Sequence, residues 1–383
     1  MVEVNNDNEL PMGEEWLIFG NGVGLKTADI QHYELTAPKS LRVLRGVSIG
    51  VSHFHLWLAQ NNLTVASDVT FDRDLQLPVD TEKINEQIVQ LLSAKQPVIV
   101  RSSASDEKGG SGIYASDFFV PTGNKDEDLV RLAQIQNFIY SSFFTDRAKA
   151  QREKALPSQE SGMSILIQPV NGDEHDGYFM PTLSGILTTI NGEPVLRVVI
   201  GLGTKAVEME EAIVLRGANI SAKEVINSLP ALSRADAINL VTGELESLRV
   251  DRQMIELATA QQEKLELLLR EWQANFKSGK PDYLEFALAQ NEQKPVVLQA
   301  SPDKIKPVVS ELGEPQGVVL CEGTDVVNTG TKFARGIVWL GEQGLTPDDL
   351  VYLANFNKNN RDYLLFVPDE VFSRIVGGSL LGI

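Results

Sequence analysis

The sequence predicts an α+β fold, because it contains both segments with helical spacing of apolar residues and segments typical of strands. Apolar residues recur at helical spacing in three stretches: 82–94, 127–150 and 221–276. Apolar and β-branched runs of strand length occur at 15–19, 97–101, 163–170, 283–289 and 295–300. The last two runs are separated by a short polar segment, which predicts a hairpin.

The predicted helices each have an apolar face, and the connections between elements are polar. One face of the first helix carries Ile84, Ile88, Leu91 and Leu92, and one face of the second carries Leu129, Leu132, Ile135, Phe138 and Ile139. The region 221–276 predicts two helices, the second with Leu265, Leu268, Leu269, Trp272 and Phe276 on its core face. Residues 153–162 predict a loop, and the acidic run 172–177 predicts a turn before a β-rich region that ends near 200.

A domain boundary is predicted near residue 305, where proline and glycine cluster: Pro302, Pro307, Gly313, Pro315 and Gly317. Residues 306–383 then predict a small β-rich domain, with strands at 318–320, 337–340 and 363–367. The sequence ends in an apolar segment, 379–383, which predicts that this domain is truncated and that the chain belongs to a longer protein.

Composition restricts the class of protein. The chain has 383 residues, of which 43% are hydrophobic and 22% charged, as expected for two or three globular domains. A net charge of −18 argues against a nucleic-acid binder, which needs a basic surface. A single cysteine, Cys321, rules out an intramolecular disulfide. Without a signal peptide or an apolar run of roughly 20 residues, we expect a cytoplasmic protein without a membrane partner.

One apolar run ends abruptly in polar residues. The run at 98–100 is followed at once by Arg101, Ser102 and Ser103. A buried charge needs a partner. The guanidinium group of arginine matches the oxygens of a phosphate, and a carboxylate at 106–107 would also satisfy it. The residues alone leave both interpretations open.

The predicted hairpin carries Glu285 in its first strand and Gln299 in its second. Carboxylate and amide oxygens are ligands that suit Mg²⁺. Two outward-pointing polar residues without a ligand are the plain alternative, and the spacing does not decide between them.

The glycine-rich segment 20–26 ends in Lys26 and follows the first predicted strand. It is not a Walker phosphate loop, which needs a glycine where this chain has Leu25, and Thr27 breaks the dinucleotide fingerprint. A glycine-rich turn without a ligand is the alternative interpretation.

Seven segments, in this order within residues 16–302, resemble the nucleotide-binding half of pyruvate phosphate dikinase and phosphoenolpyruvate synthase. They are Gly20–Lys26, Val100–Ala104, Ser141–Ala148, Ile165–Val170, Ser184–Thr189, Gly201–Thr204 and the pair Glu285 and Gln299. The resemblance implies an ATP-grasp-like, two-lobed nucleotide-binding fold. Its N-terminal lobe would span 1–162 and its C-terminal lobe 163–305, with the small β-rich domain at 306–383.

The resemblance also implies ATP and Mg²⁺ as ligands and gives a role to each matching residue. Phosphate contacts are expected from Lys26, Arg101, Ser102, Ser103 and Gln299, and an adenine contact from the strand of Gln168. Glu285 and Gln299 are expected to hold Mg²⁺. The catalytic residues would be Arg101, Glu285 and Gln299.

The sequence departs from this family at several points. Ser301 stands where the family has an arginine beside the phosphates, and the loop 105–115 has an unusual composition. No phosphate-accepting histidine motif is present, so the acceptor would be a phosphohistidine or other domain outside this chain. His175 lies in an acidic run that matches no zinc pattern. We therefore consider an ATP-dependent phosphotransferase first, with a non-catalytic ATP-binding regulator or a scaffold without nucleotide as alternatives.

Overall fold

A computed structural model describes most of the chain and confirms the α+β class. The described residues are 15–67, 75–104, 113–154, 162–190, 193–203, 211–276, 283–301, 318–322, 335–339 and 363–366. The predicted domain break near 305, most of the 105–115 loop and the apolar segment 379–383 lie outside these ranges. No helix of the described part is both long and apolar enough to cross a membrane.

The described residues form eight α-helices. They are α1 (Leu25–Glu34), α2 (Val51–Gln60), α3 (Val79–Leu91), α4 (Lys125–Ser141), α5 (Asp146–Lys154), α6 (Ala222–Ser228), α7 (Arg252–Thr259) and α8 (Gln262–Phe276). The predicted helix at 82–94 is confirmed as α3, which begins one turn earlier, after Pro78. A proline fits there because the first amides of a helix have no intrahelical acceptor.

The first sheet has five strands and supports the N-terminal part of the chain. In spatial order they are β1 (Leu17–Phe19), β3 (Val47–Ile49), β6 (Met163–Pro169), β4 (Val98–Ala104) and β5 (Ser116–Phe119). Its core includes the rings of Phe54, Trp57, Tyr140, Phe143 and Phe144 from the helices, all with less than 3% exposure. Burial of rings of this size contributes much of the hydrophobic stabilisation of such a layer.

The second sheet has six strands and includes the predicted hairpin. In spatial order they are β11 (Ile213–Arg216), β10 (Glu193–Val199), β9 (Leu183–Ile190), β14 (Tyr283–Leu288), β15 (Val296–Ser301) and β2 (Arg42–Val43). The hairpin of β14 and β15 is confirmed. Short β2 comes from the N-terminal part of the chain and pairs in parallel with β15, which fixes the two parts to each other.

The two faces of the second sheet differ in character. Leu196, Leu187, Leu284 and Phe286 belong to a core cluster that also contains Leu265, Leu268 and Trp272 of α8. Because alternate residues of a strand point to opposite faces, Arg197, Thr188 and Glu285 lie on the other face. This face, called the polar face below, is buried and carries these polar side chains beside the apolar Ile186 and Val195.

Two smaller sheets complete the described fold. The third consists of β13 (Leu245–Arg249), β12 (Arg234–Asn239), β8 (Tyr178–Met180) and β7 (Asp173–His175). The fourth consists of β16 (Val318–Glu322), β17 (Arg335–Trp339) and β18 (Tyr363–Phe366). The three strands predicted for the C-terminal region are thus confirmed.

The prediction of one helix over 127–150 was wrong, because α4 ends at Ser141 and α5 begins at Asp146. The Ser142 hydroxyl donates to the Ile139 carbonyl over 2.6 Å, a local contact that competes with the helical ladder. A single 3₁₀ turn follows, and the Thr145 hydroxyl accepts from the amide of Ala148 over 3.3 Å at the start of α5.

Two further predictions from local pattern were wrong. The region 221–276 contains the hairpin of β12 and β13 between its helices. Alanine and aspartate are poor strand formers, yet Ala235 and Ala237 are buried in the core and β12 pairs with β8. The acidic run at 172–177 forms β7 and a tight turn rather than a turn alone.

The predicted division into lobes at 162 and 163 does not coincide with the sheets. Strand β6 follows that boundary but lies in the first sheet, between β3 and β4. Strand β2 precedes the boundary and lies in the second sheet. The two-lobe organisation stays a prediction, and a boundary after β6 would keep the first sheet intact.

The contact between α3 and α4 contains a buried pair of amides and provides a stability test. Asn85 and Gln136 exchange two hydrogen bonds of 2.9 and 2.7 Å. Asn85→Ala would leave the Gln136 amide buried and unpaired, so we expect a loss of about 1–3 kcal/mol in the free energy of unfolding. Urea denaturation measures it, with Lys83→Ala on the exposed side of α3 as the control. Equal midpoints for the two variants would contradict this expectation.

Candidate functional site

Two of the predicted site residues meet across the two large sheets. Arg101 on β4 donates from Nη2 to Oε2 of Glu285 on β14 over 3.0 Å, although 184 positions separate them in sequence. Their side chains are only 17% and 10% exposed. A pair this deeply buried interacts more strongly than a surface pair. The expected alternative partners at 106–107 lie outside the described residues.

Tyr283 holds the second oxygen of the Glu285 carboxylate. Its hydroxyl donates to Glu285 Oε1 over 2.6 Å. Burial, followed by the charge of Glu285, raises the pKa of Tyr283 well above its usual value, while Arg101 and Arg197 oppose that rise. The phenol therefore remains protonated at neutral pH and acts as a donor. Both oxygens of Glu285 are thus fixed in position.

Gln299 lies directly opposite Glu285 in the β14–β15 pair. It is 2% exposed, and neither Oε1 nor Nε2 of its amide has a hydrogen-bond partner among the described residues. A buried amide without partners costs about 1–3 kcal/mol. A ligand in this position would remove that cost, since the oxygen can bind a cation and the nitrogen can donate to a phosphate oxygen.

Lys26 lies in the first turn of α1, next to β4. Its Nζ donates to the carbonyl of Ser102 over 2.8 Å and lies 3.5 Å from the hydroxyl of the same residue. The preceding glycines have backbone reasons for their identity. Gly20 and Gly22 have positive φ angles, and a Cβ on Gly24 would lie 1.6 Å from the Ser103 carbonyl oxygen. The glycine segment thus lets α1 approach β4 closely. As a result Lys26 contacts Ser102, the residue that follows Arg101 on that strand.

The hydroxyls predicted beside Arg101 are both completely buried. Ser103 Oγ accepts from the amide of Thr27 over 3.3 Å, and its carbonyl accepts from Ser164 over 3.0 Å. The Ser164 hydroxyl also accepts from the amide of Gly24. These bonds attach α1 to the first sheet. A direct phosphate contact by Ser102 or Ser103 stays a prediction.

Gln168, predicted on the strand that meets adenine, lies on β6 and is 1% exposed. Its Nε2 donates to the carbonyl of Leu44 over 2.9 Å, so the side chain connects the two sheets. Next to it is a cavity of about 210 Å³, bounded by residues of both sheets that include Leu44, Val98, Val170 and Asn171. The Asn171 Nδ2 in this cavity is buried and has no partner among the described residues.

Comparison with models of known protein families shows which family the chain belongs to. Residues 21–311 match the family described as "Pyruvate phosphate dikinase, AMP/ATP-binding domain", over about three quarters of the chain. The chain belongs to this family. A search of curated proteins finds no match. The predicted resemblance is confirmed, and the fold is an ATP-binding domain of the ATP-grasp type from a dikinase family.

The structure of this dikinase-family domain also brings Asp29, Arg197 and Tyr283 to the region of the site, and the sequence did not predict them. Asp29 on α1 accepts from the hydroxyl of Ser301 over 2.8 Å. Arg197, fully buried on β10, and Tyr283 lie on the polar face of the second sheet with Glu285. Arg197 carried a signal in the sequence, since it is the one charge inside the apolar run 194–200.

His175, in contrast, does not belong to a metal site in the described part of the dikinase-family domain. It lies on β7, and its nearest acidic partner is Asp176 at 3.9 Å. No group of three or more His, Cys, Asp or Glu side chains that could hold a metal ion occurs among the described residues. Asp173 of the same run is buried and accepts from the backbone amides of Gln290 and Asn291, so its carboxylate supports the turn between β14 and β15.

Proposed function

We propose that this domain binds Mg-ATP between its two large sheets and donates a phosphoryl group to an acceptor outside this chain. The observation that supports it most strongly is the ion pair of Arg101 and Glu285 opposite the amide of Gln299, which has no hydrogen-bond partner among the described residues. Lys26 and Arg101 would bind phosphate oxygens, and Glu285 and Gln299 would hold Mg²⁺. The metal would neutralise charge on the phosphates.

The base of the nucleotide would occupy the cavity at Val170 and Asn171. The cavity lies between the first sheet and Leu44, which follows β2 of the second sheet. Residue Leu166, opposite Arg101 in the β4–β6 pair, is four positions before Val170. Four residues of a strand span about 13 Å, which suits a base at one end and phosphates at the other. The Asn171 amide would then donate to the base.

Positioning and electrostatics account for most of the catalysis of phosphoryl transfer. The side chains described here would orient the phosphates in line with the acceptor. During transfer the bond from phosphorus to the bridging oxygen breaks, a bond to the acceptor forms, and the remaining nucleotide leaves. Lys26 and Arg101 would stabilise the charge on the transferred group.

A second candidate is a relative that binds ATP without transferring phosphate, and Ser301 favours it. Ser301 is 5% exposed and donates to Asp29, so this position provides no positive charge to a phosphate. Binding relies on fewer charges than transfer does, and it could persist where transfer does not.

A thermal-unfolding titration tests the binding function. A ligand that binds only the native state raises the melting temperature, by the equivalent of about 2.7 kcal/mol at a hundred times its Kd. We expect ATP to raise the melting temperature more with Mg²⁺ than with a chelator. No shift at millimolar ATP under either condition would reject the proposed function and favour a scaffold.

The transfer function needs a separate measurement with an added acceptor. Millimolar imidazole serves as a small surrogate for a histidine side chain, and ³¹P NMR detects a phosphorus–nitrogen product. ATP binding with formation of that product supports transfer. Binding without the product, in the presence of Mg²⁺, supports the regulatory candidate.

A further inference from the structure

A fully buried arginine lies in the middle of the second sheet. Arg197 on β10 has 0% exposure, and its strand neighbours Leu196 and Val198 pack into the core cluster with α8. Its side chain therefore lies on the opposite, polar face of the sheet. Removing a charge from water is costly, so a buried arginine among apolar strand residues needs compensating negative charge from the protein or from a ligand.

The strand register aligns Arg197 with the predicted metal ligands. Arg197 pairs with Ile186 on β9, Ile186 pairs with Glu285 on β14, and Glu285 pairs with Gln299 on β15. Directly paired residues project to the same face. Two strand spacings, about 10 Å, separate the backbones of β10 and β14, a distance that a long arginine side chain can largely cross.

Arg197 shares its face of the sheet with a carboxylate that is held from two sides. Tyr283 donates to Oε1 of Glu285, and Arg101 of the first sheet donates to Oε2. The register thus places Arg197 in the same row as the carboxylate that Arg101 contacts.

We propose that Arg197 is a further phosphate-binding residue, which brings a second arginine charge from β10 to the terminal phosphates of ATP. This inference rests on the proposed ATP-binding function. The charge of Arg197 would add to the charges of Lys26 and Arg101, which contact Ser102 and Glu285 respectively. An excess of positive charge is what a polyphosphate requires.

The position of Arg197 favours the terminal phosphates over the phosphate next to the ribose. The base cavity is bounded by Arg42 and Glu292, near the turn that joins β14 and β15. The row of Arg197, Glu285 and Gln299 lies farther along the strands, away from that turn. A nucleotide with its base in the cavity would direct its outer phosphates toward this row, whereas AMP would not reach it.

Calorimetric titration with ATP and with AMP tests this inference on Arg197→Met, Arg197→Lys and the wild type. For Arg197→Met we expect ATP affinity to fall at least about tenfold, because one charge-assisted contact is lost, while AMP affinity changes less than about threefold. Arg197→Lys keeps the charge and should lose only a few-fold in ATP affinity. Arg216→Met, an exposed change on the adjacent strand β11, is the control.

The ratio of ATP to AMP affinity separates a phosphate contact from a structural role. Equal losses for both nucleotides, or none, in Arg197→Met would overturn the inference. If that variant does not fold, an unchanged ratio of the two affinities in Arg197→Lys would overturn it. A wild type that binds neither nucleotide would instead reject the proposed function on which the inference rests.

Discussion

Replacing Arg101 with methionine is expected to reduce ATP affinity by more than about a hundredfold. Arg101 is the predicted phosphate ligand, and two charged hydrogen bonds to phosphate at roughly 1.5–3 kcal/mol each account for a loss of that size. Arg101→Lys retains the charge but not the planar pair of donors, so a loss of about tenfold is expected. Calorimetry with ATP and Mg²⁺ measures both.

The Arg101→Met variant should also have a lower free energy of unfolding, since Arg101 neutralises Glu285 in the absence of nucleotide. Breaking a buried ion pair costs about 3–5 kcal/mol. Tyr283 still donates to the carboxylate, and Arg101 retains some exposure, so a value near 3 kcal/mol is expected. Binding must therefore be measured at a temperature at which the variant is folded, as shown by circular dichroism.

Arg147 provides the control for Arg101, because it is an exposed arginine on α5. Arg147→Met and Arg147→Lys should leave ATP affinity within about twofold, since surface substitutions have small effects. Equal losses at both positions would remove Arg101 from the site. Loss of stability in Arg101→Met with unchanged ATP affinity would assign Arg101 a structural role only.

Glu285→Gln is expected to abolish the dependence of ATP binding on Mg²⁺. The carboxylate would hold the metal, and its negative charge would repel ATP when the metal is absent. The variant should thus bind ATP more weakly than the wild type with Mg²⁺, and at least as tightly with a chelator. A variant that binds more weakly than the wild type only when Mg²⁺ is present has lost a metal ligand. A residue that only supports the fold would lower ATP affinity under both conditions.

Glu246 on β13 provides a matched control for this substitution. It accepts a hydrogen bond of 3.0 Å from the Tyr178 hydroxyl, as Glu285 does from Tyr283, but it belongs to the third sheet. Glu246→Gln should retain the full response to Mg²⁺. If Glu285→Gln also retains it in a folded protein, then Glu285 does not hold the metal.

Ser301 shows how the structure changes an expectation drawn from resemblance. The family's arginine at this position suggests that Ser301→Arg would add a phosphate contact and raise ATP affinity about tenfold. In the fold, however, the serine hydroxyl contacts Asp29 on α1. An arginine introduced there would meet this carboxylate before it met a phosphate, so we expect the gain only in combination with Asp29→Asn.

Local pattern in the sequence determined those elements whose own residues carry a consistent signal. The hairpin at 283–301, strands β4 and β6 and helix α3 have clear apolar periodicity, and the ordered segments around Lys26, Arg101 and Glu285 were sufficient to identify the family. Such signals depend on neighbouring residues and on motif order, and both are present in a single chain.

The tertiary structure decided what depends on distant pairing. The break between α4 and α5 arises from a serine hydroxyl that binds a nearby carbonyl, and β12 is a strand because β8 and the core accept its alanines. The partner of Arg101 lies 184 residues away, and Arg197 joins Glu285 only through the register of β10, β9 and β14. A charge in a strand is visible in the sequence, but the group that balances it is set by which strands lie side by side, because electrostatic energy depends on distance in space.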